Sequence, residues 1–174
     1  GDLDWAIENA NVTTYTDGTE IPNETDSYDF WRVKKYGAWI YFNNEYSSYG
    51  KLYNWYAIMG IHDEDGSTPN KEFAPEGWRI PSNEDWDNLL DYLYNNGYHI
   101  DQGIPEDDPE YTINLSKAMS STTGWENSNY VLSPGNNPYT NNKSGFNAYP
   151  EGFLINEVPS MTWQGKGGST GFWS

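Results

Sequence analysis

The chain has 174 residues, with 26 acidic side chains against 9 basic ones and no cysteine. The net charge of −17 disfavours nucleic acids and anionic membranes as partners, because binding to them depends on Lys and Arg neutralising phosphates. The missing cysteines exclude a thiol nucleophile, Cys-ligated zinc and any disulfide. No run of about 18 apolar residues is present, so membrane insertion is not expected.

Aromatic residues are unusually frequent, with 15 Tyr, 9 Trp and 6 Phe. Such rings indicate a folded core, because solvated disordered chains carry few of them. The 20 Asn and 17 Gly favour many turns, since both residue types adopt positive φ. The length suits one domain, so we predict a single loop-rich domain over residues 1–174.

The first half of the chain contains two apolar segments. Residues 37–42 form an unbroken apolar run that predicts a strand buried on both faces. Residues 49–59 are rich in aromatics and compatible with a helix or a strand. Four apolar side chains there recur at helical spacing: Leu52, Trp55, Tyr56 and Met59. This spacing favours a helix around residues 50–59.

The clearest element is a helix over residues 82–96. Ser82 is a helix-capping residue, and Asp85 three positions later completes the pattern of a capping box. Gly97 supplies the left-handed stop after the last turn. The predicted core-facing stripe consists of Trp86, Leu89, Leu90 and Leu93.

Beyond Gly97 the sequence is irregular and rich in Asn, Pro and Gly. Short strands are predicted at residues 145–150 and 171–174. The glycine-rich residues 165–168 lack the ending of a phosphate-binding loop and are interpreted as a flexible hairpin tip.

No pattern of catalytic residues is recognisable, so an enzyme is not expected. His62 and His99 lie 37 positions apart, without the spacing of metal ligands or of a base beside its nucleophile. Two acidic clusters suit calcium, which prefers oxygen ligands from loops. The candidate ligands are Asp63, Asp65, Asp107 and Asp108. The alternative is that both clusters are ordinary solvated loops, and no other cofactor is predicted.

Several ordered blocks resemble one protein family. Residues 49–57 nearly reproduce its Y-G-x-L-Y-N-W-Y-A block, residues 74–86 resemble C-P-x-G-W-H-L-P-[ST]-x-x-E-W, and residues 145–152 resemble G-F-x-A-L-P-G-G. Shorter matches lie at residues 4–9, 15–22 and 171–174. The chain thereby resembles the Fibrobacter succinogenes major paralogous domain, which occurs in secreted and surface proteins of Bacteroidota and their relatives.

Residues 79–86 also look like the R-L-P-T-E-A-E-W block of formylglycine-generating enzymes. This wider resemblance implies an α+β, C-type-lectin-like fold. The catalytic cysteines of those enzymes have no counterpart here, so their oxidase activity is not implied. Ala74 stands where the family pattern has a cysteine.

The family resemblance has two further implications. Its aromatic block residues are interpreted as packing residues: Trp55, Tyr56, Trp78 and Trp86. Because family members usually extend further at both ends, we expect terminal strands to lie outside this sequence.

In a lectin-like fold, binding residues are expected in the loops of residues 100–168. The candidates are Tyr130, Asn136, Asn137, Tyr139, Trp163 and Gln164. We therefore predict a non-catalytic, extracellular binding module of a bacterial surface protein or adhesin, with a glycan or protein ligand. The alternative is a structural subunit of an extracellular filament or surface layer, a homo-oligomer that assembles through its termini.

Overall fold

The computed structural model describes residues 3–24, 31, 33–100, 114–157 and 160–174. The chain forms two compact units. Unit 1 combines residues 1–8 with 82–150, and unit 2 combines residues 9–81 with 151–174. The single domain expected from the sequence stays a prediction.

Unit 2 contains a two-stranded antiparallel sheet. Strand β1, Trp39–Ile40, pairs with strand β2, Leu52–Tyr53, so that Trp39 lies opposite Tyr53. Of the predicted segment 37–42, residues 37–40 are buried, whereas Tyr41 and Phe42 are half-buried. Only Trp39–Ile40 form a strand, so the prediction is confirmed in part.

The core of unit 2 is built from aromatic and small side chains. Its buried members are Tyr15, Ile21, Trp39, Ala57 and Phe73. The indole nitrogen of Trp39 donates a 2.9 Å hydrogen bond to the carbonyl of Ile21, so this buried polar group is satisfied. Gly37 allows the close packing, because a Cβ there would lie 2.7 Å from the Cα of Ala57.

Helix α1, Trp55–Ile58, is much shorter than the helix predicted over residues 50–59. The preceding residues pair in β2, and the Asn54 side chain then accepts hydrogen bonds from the amides of Ala57 at 2.9 Å and Ala38 at 3.1 Å. Gly60 ends the segment with a φ of 71°. The apolar spacing was therefore misleading, because strand pairing and the Asn54 cap fix where the helix starts.

The prediction that the apolar side chains of this segment face the core was also partly wrong. Trp55 and Met59 are each 46% exposed, and within α1 the buried residue is Ala57. Trp78 is 51% exposed, so it is not the packing residue that the family blocks suggested.

The last part of unit 2 is a hairpin that the sequence did not predict. Strand β3, Phe153–Glu157, pairs antiparallel with strand β4, Ser160–Gln164. The predicted strands were wrong: residues 145–150 contain only an isolated bridge at Ala148, and residues 171–174 have no regular structure. Residues 165–168 form a turn after β4 and not the tip of the hairpin.

Unit 1 contains the longest helix, α2, Asn83–Asn95, as predicted. The Ser82 hydroxyl accepts from the amide of Asp85 at 3.2 Å, and the Asp85 carboxylate accepts from the Ser82 amide at 2.7 Å. The capping box is therefore present. Trp86 is half-buried, with its ring centroid 4.7 Å from that of Trp5. Leu93 is buried, but Leu90 is 39% exposed, so its assignment to the core-facing stripe was wrong.

Unit 1 continues with helix α3, Ser116–Met119, of four residues. The described residues thus hold few helices and two small antiparallel sheets, which confirms a loop-rich α+β fold. The finer expectation of a C-type-lectin-like fold stays a prediction. Among these residues no helix has the length and apolarity needed to cross a membrane.

Candidate functional site

The candidate site is a loop of unit 1, residues 126–142, which we call the tyrosine loop. Its main chain doubles back, because the amide of Ser128 donates a 3.2 Å hydrogen bond to the carbonyl of Gly135. A Cβ at position 135 would lie 1.8 Å from the carbonyl oxygen of Glu126. The close approach therefore requires glycine at that position.

Buried polar side chains hold the base of the tyrosine loop. The amide nitrogen of Asn141, a residue only 6% exposed, donates to the carbonyls of Ser121 at 2.9 Å and Pro134 at 3.0 Å. The Lys117 ammonium donates to the carbonyl of Asn136, and burial lowers the pKa of this ammonium. These contacts fix the main chain together with the side chain of Leu132, which is buried within the loop.

Hydroxyl groups within the loop add local turns. The amide of Tyr130 donates to the Ser128 hydroxyl at 3.1 Å, and the amide of Gly135 donates to the Ser133 hydroxyl at 3.2 Å. The amide of Ser133 donates in turn to the carbonyl of Tyr130 at 3.0 Å. Such side-chain-to-backbone bonds replace the ladder of a regular element.

The fixed loop presents three large apolar side chains to solvent. Tyr130 is 64% exposed, Val131 66% and Tyr139 87%. Tyr139 lies in a short 3-10 turn, Pro138–Thr140, whose preceding residue Asn137 has a left-handed φ of 50°. The arrangement can offer flat aromatic faces and phenol hydroxyls to a ligand at little cost in loop ordering.

The six predicted binding residues fall on both units. On the tyrosine loop, Tyr130, Tyr139 and Asn137 are exposed, whereas Asn136 uses its side-chain amide to bind the carbonyl of Ser128 at 3.0 Å. Trp163 and Gln164 lie on β4 of unit 2. The Trp163 ring centroid is 5.0 Å from that of Phe42, and Gln164 is exposed. Four of the six therefore lie on the tyrosine loop, and the other two are neighbours on β4.

A family model described as the Fibrobacter succinogenes major domain matches residues 1–174. The chain belongs to this family. No curated protein and no solved structure matches it.

The predicted calcium ligands of this Fibrobacter succinogenes major domain form no cluster in the part of the chain described. Asp63 accepts from the amide of Gly66 at 2.7 Å and from the Thr68 hydroxyl, and the bond to Thr68 is the main cause of a lowered pKa. Asp65 accepts from the amide of Ser67 at 2.8 Å. These two carboxylates therefore stabilise their own loop.

The other two predicted ligands, Asp107 and Asp108, lie outside the described residues. Within the described ranges no three His, Cys, Asp or Glu side chains come together as metal ligands would. The binding of calcium by these four residues stays a prediction.

Val131 and the anchors Lys117 and Asn141 were not predicted from the sequence, because their surroundings depend on the fold. Nor was Glu151, a buried acidic residue in unit 2. The sequence did contain one indication of Glu151. This residue replaces the first of the two final glycines in the family's G-F-x-A-L-P-G-G block.

Proposed function

We propose that this chain is a non-catalytic, extracellular binding module whose tyrosine loop binds a neutral polysaccharide. The observation that carries the proposal is the exposure of Tyr130 and Tyr139 on a loop that buried polar side chains hold in place. Tyrosine combines a rigid apolar face with a hydroxyl group, which is why it is enriched in binding loops.

The chemistry of the loop favours a sugar ligand. The aromatic rings of Tyr130 and Tyr139 can pack against the C–H face of a sugar ring, while amide groups bind its hydroxyls. Asn137 is exposed and makes no capping hydrogen bond with its side chain, so its amide is available for such contacts. Ordering of the loop has already occurred during folding, which lowers the entropy cost of binding.

The charge of the chain narrows the class of polysaccharide. A protein with a net charge of −17 repels polyanions such as polyuronates and sulfated glycans. A neutral chain of sugars escapes this repulsion and still offers hydroxyls and apolar ring faces. The extracellular, bacterial cell-surface location in the proposal rests on the resemblance to domains of secreted proteins.

The test is retardation of the chain in native gels that contain one polysaccharide each. The panel consists of neutral glucans, xylans and mannans, with a polyuronate as the charged counterpart. We expect retardation by at least one neutral polysaccharide and none by the polyuronate. The Tyr130→Ala and Tyr139→Ala variants should migrate freely in the same gels, and Tyr46→Ala, which alters a 76% exposed tyrosine of unit 2, should be retarded like the wild type.

Two results would contradict the proposal. One is free migration of the wild type in every gel, and the other is equal retardation of the wild type and both loop variants. Size-exclusion chromatography of the same samples tests the alternative of a filament subunit, because a large assembly without polysaccharide binding would favour that function.

A further inference from the structure

Two acidic side chains are buried among the described residues, and their surroundings differ. Asp85 is 7% exposed and accepts hydrogen bonds from the amide and hydroxyl of Ser82, at 2.7 and 2.8 Å. Glu151 is 4% exposed, and neither of its carboxylate oxygens has a hydrogen-bond partner in the protein. Buried carboxylates without partners are rare, because an ionised group loses its hydration on burial.

No basic side chain of the described residues forms an ion pair with Glu151. Lys166 belongs to the turn that folds beside it, but the Lys166 ammonium lies over the ring of Phe42, 5.1 Å from its centroid. Among the residues that the structure describes, this carboxylate is therefore buried without a counter-charge.

Two main-chain carbonyls lie close to Gly152, the residue that follows Glu151. The amide of Gly152 donates to the carbonyl of Ser169 at 3.0 Å. Gly152 has a φ of 73°, and a Cβ there would lie 2.4 Å from the carbonyl oxygen of Gln164 and 2.7 Å from the amide nitrogen of Lys166. Residues 164–169 therefore fold tightly over the main chain that carries the buried carboxylate.

We propose that Glu151 is the anchoring ligand of a calcium site in unit 2. Carboxylate and main-chain carbonyl oxygens are the ligands of hard cations, and Ca²⁺ takes six to eight of them in flexible geometry. A bound Ca²⁺ supplies the counter-charge that no side chain in the described part of the chain provides. The site differs from the loop of Asp63 and Asp65, whose carboxylates already accept hydrogen bonds from their own loop.

The experiment measures thermal unfolding of the chelator-treated chain while CaCl₂ is added. We expect the wild-type Tm to rise by about 5–10 °C when Ca²⁺ reaches 100 times its Kd, because the ion binds only the folded state. Glu151→Gln keeps the shape of the side chain and removes its charge, so its Tm should not respond to Ca²⁺. In chelator, Glu151→Gln should melt at or above the wild-type Tm, because an uncompensated charge is no longer buried.

Matched variants separate this site from the acidic loop. Asp63→Asn and Asp65→Asn should retain the full rise in Tm with Ca²⁺. Should Glu151→Gln fail to fold, Glu151→Gly restores the glycine of the family block and serves as the second variant. Three results would overturn the proposal. They are a wild-type Tm that does not change with Ca²⁺, a Tm of the Glu151 variant that still rises with Ca²⁺, and a Tm of Asp63→Asn or Asp65→Asn that no longer rises with Ca²⁺.

Discussion

The core of unit 2 and the tyrosine loop of unit 1 use the same residue types in opposite ways. In the core, Tyr15 and Trp39 are 2% and 7% exposed and pack with small residues. In the loop, Tyr130 and Tyr139 face solvent, and polar side chains hold the main chain. Aromatic content alone therefore does not locate a core. Rings in the core should contribute to stability, and rings on the loop to binding.

The largest expected effect is that of Trp39→Ala in the core. Loss of the buried indole and of its hydrogen bond to the Ile21 carbonyl should lower the free energy of unfolding by about 3–5 kcal/mol. Urea denaturation followed by fluorescence measures this change. A loss below about 1 kcal/mol would mean that the ring does not organise the core.

A smaller effect is expected for Asn141→Ala at the base of the tyrosine loop. This change leaves the carbonyls of Ser121 and Pro134 without their buried donor, which should cost about 1–3 kcal/mol. Asn88→Ala, on the exposed face of α2, is the matched control and should change stability by no more than about 0.5 kcal/mol. Equal effects of the two variants would show that Asn141 does not hold the loop.

Tyr15→Phe should change stability little at pH 7, because the Tyr15 hydroxyl is buried without a partner. Its effect should appear in alkali. Burial raises the pKa of Tyr15 to about 12, above the ordinary value of 10 that it regains on unfolding. Ionisation of Tyr15 therefore leaves the free energy of unfolding unchanged below pH 10. Between pH 10 and 12 the unfolded state loses this proton more readily than the folded state, so the free energy of unfolding falls as the pH rises.

Unfolding titrations between pH 9 and 12 test this prediction. The loss of stability with rising pH should be shallower in Tyr15→Phe than in the wild type. Tyr139→Phe, at an 87% exposed position, should follow the wild-type curve. Parallel curves for Tyr15→Phe and the wild type would contradict the burial of this phenol.

The sequence was informative where the signals are local. Ser82 and Asp85 are three positions apart, and their reciprocal hydrogen bonds form within one turn, so the helix could be predicted together with its cap. The start of α1 could not, because Asn54 takes one of its partners, the amide of Ala38, from a distant segment. An apolar pattern cannot reveal such a partner.

The candidate site shows the same contrast between local signals, which the sequence reveals, and long-range contacts, which it does not. The loops of residues 100–168 were expected to bind a ligand, and Tyr and Asn are frequent in binding loops, so Tyr130 and Tyr139 could be proposed as binding residues. The sequence did not reveal that Asn136 and Asn141 support the main chain. An asparagine that binds a ligand and one that supports the main chain cannot be distinguished by residue type. The unpartnered carboxylate of Glu151 became visible only once its burial was known.

We expect the tyrosine loop to bind a ligand without contributing its rings to stability. The most direct measurement is the Kd of the wild type, Tyr130→Ala and Tyr139→Ala for the neutral polysaccharide that retards the wild type most, with Tm measured on the same samples. We expect each loop variant to raise Kd about tenfold or more, which corresponds to about 1.4 kcal/mol, with an unchanged Tm. An unchanged Kd in both variants, or a Tm that falls in parallel with affinity, would contradict the account.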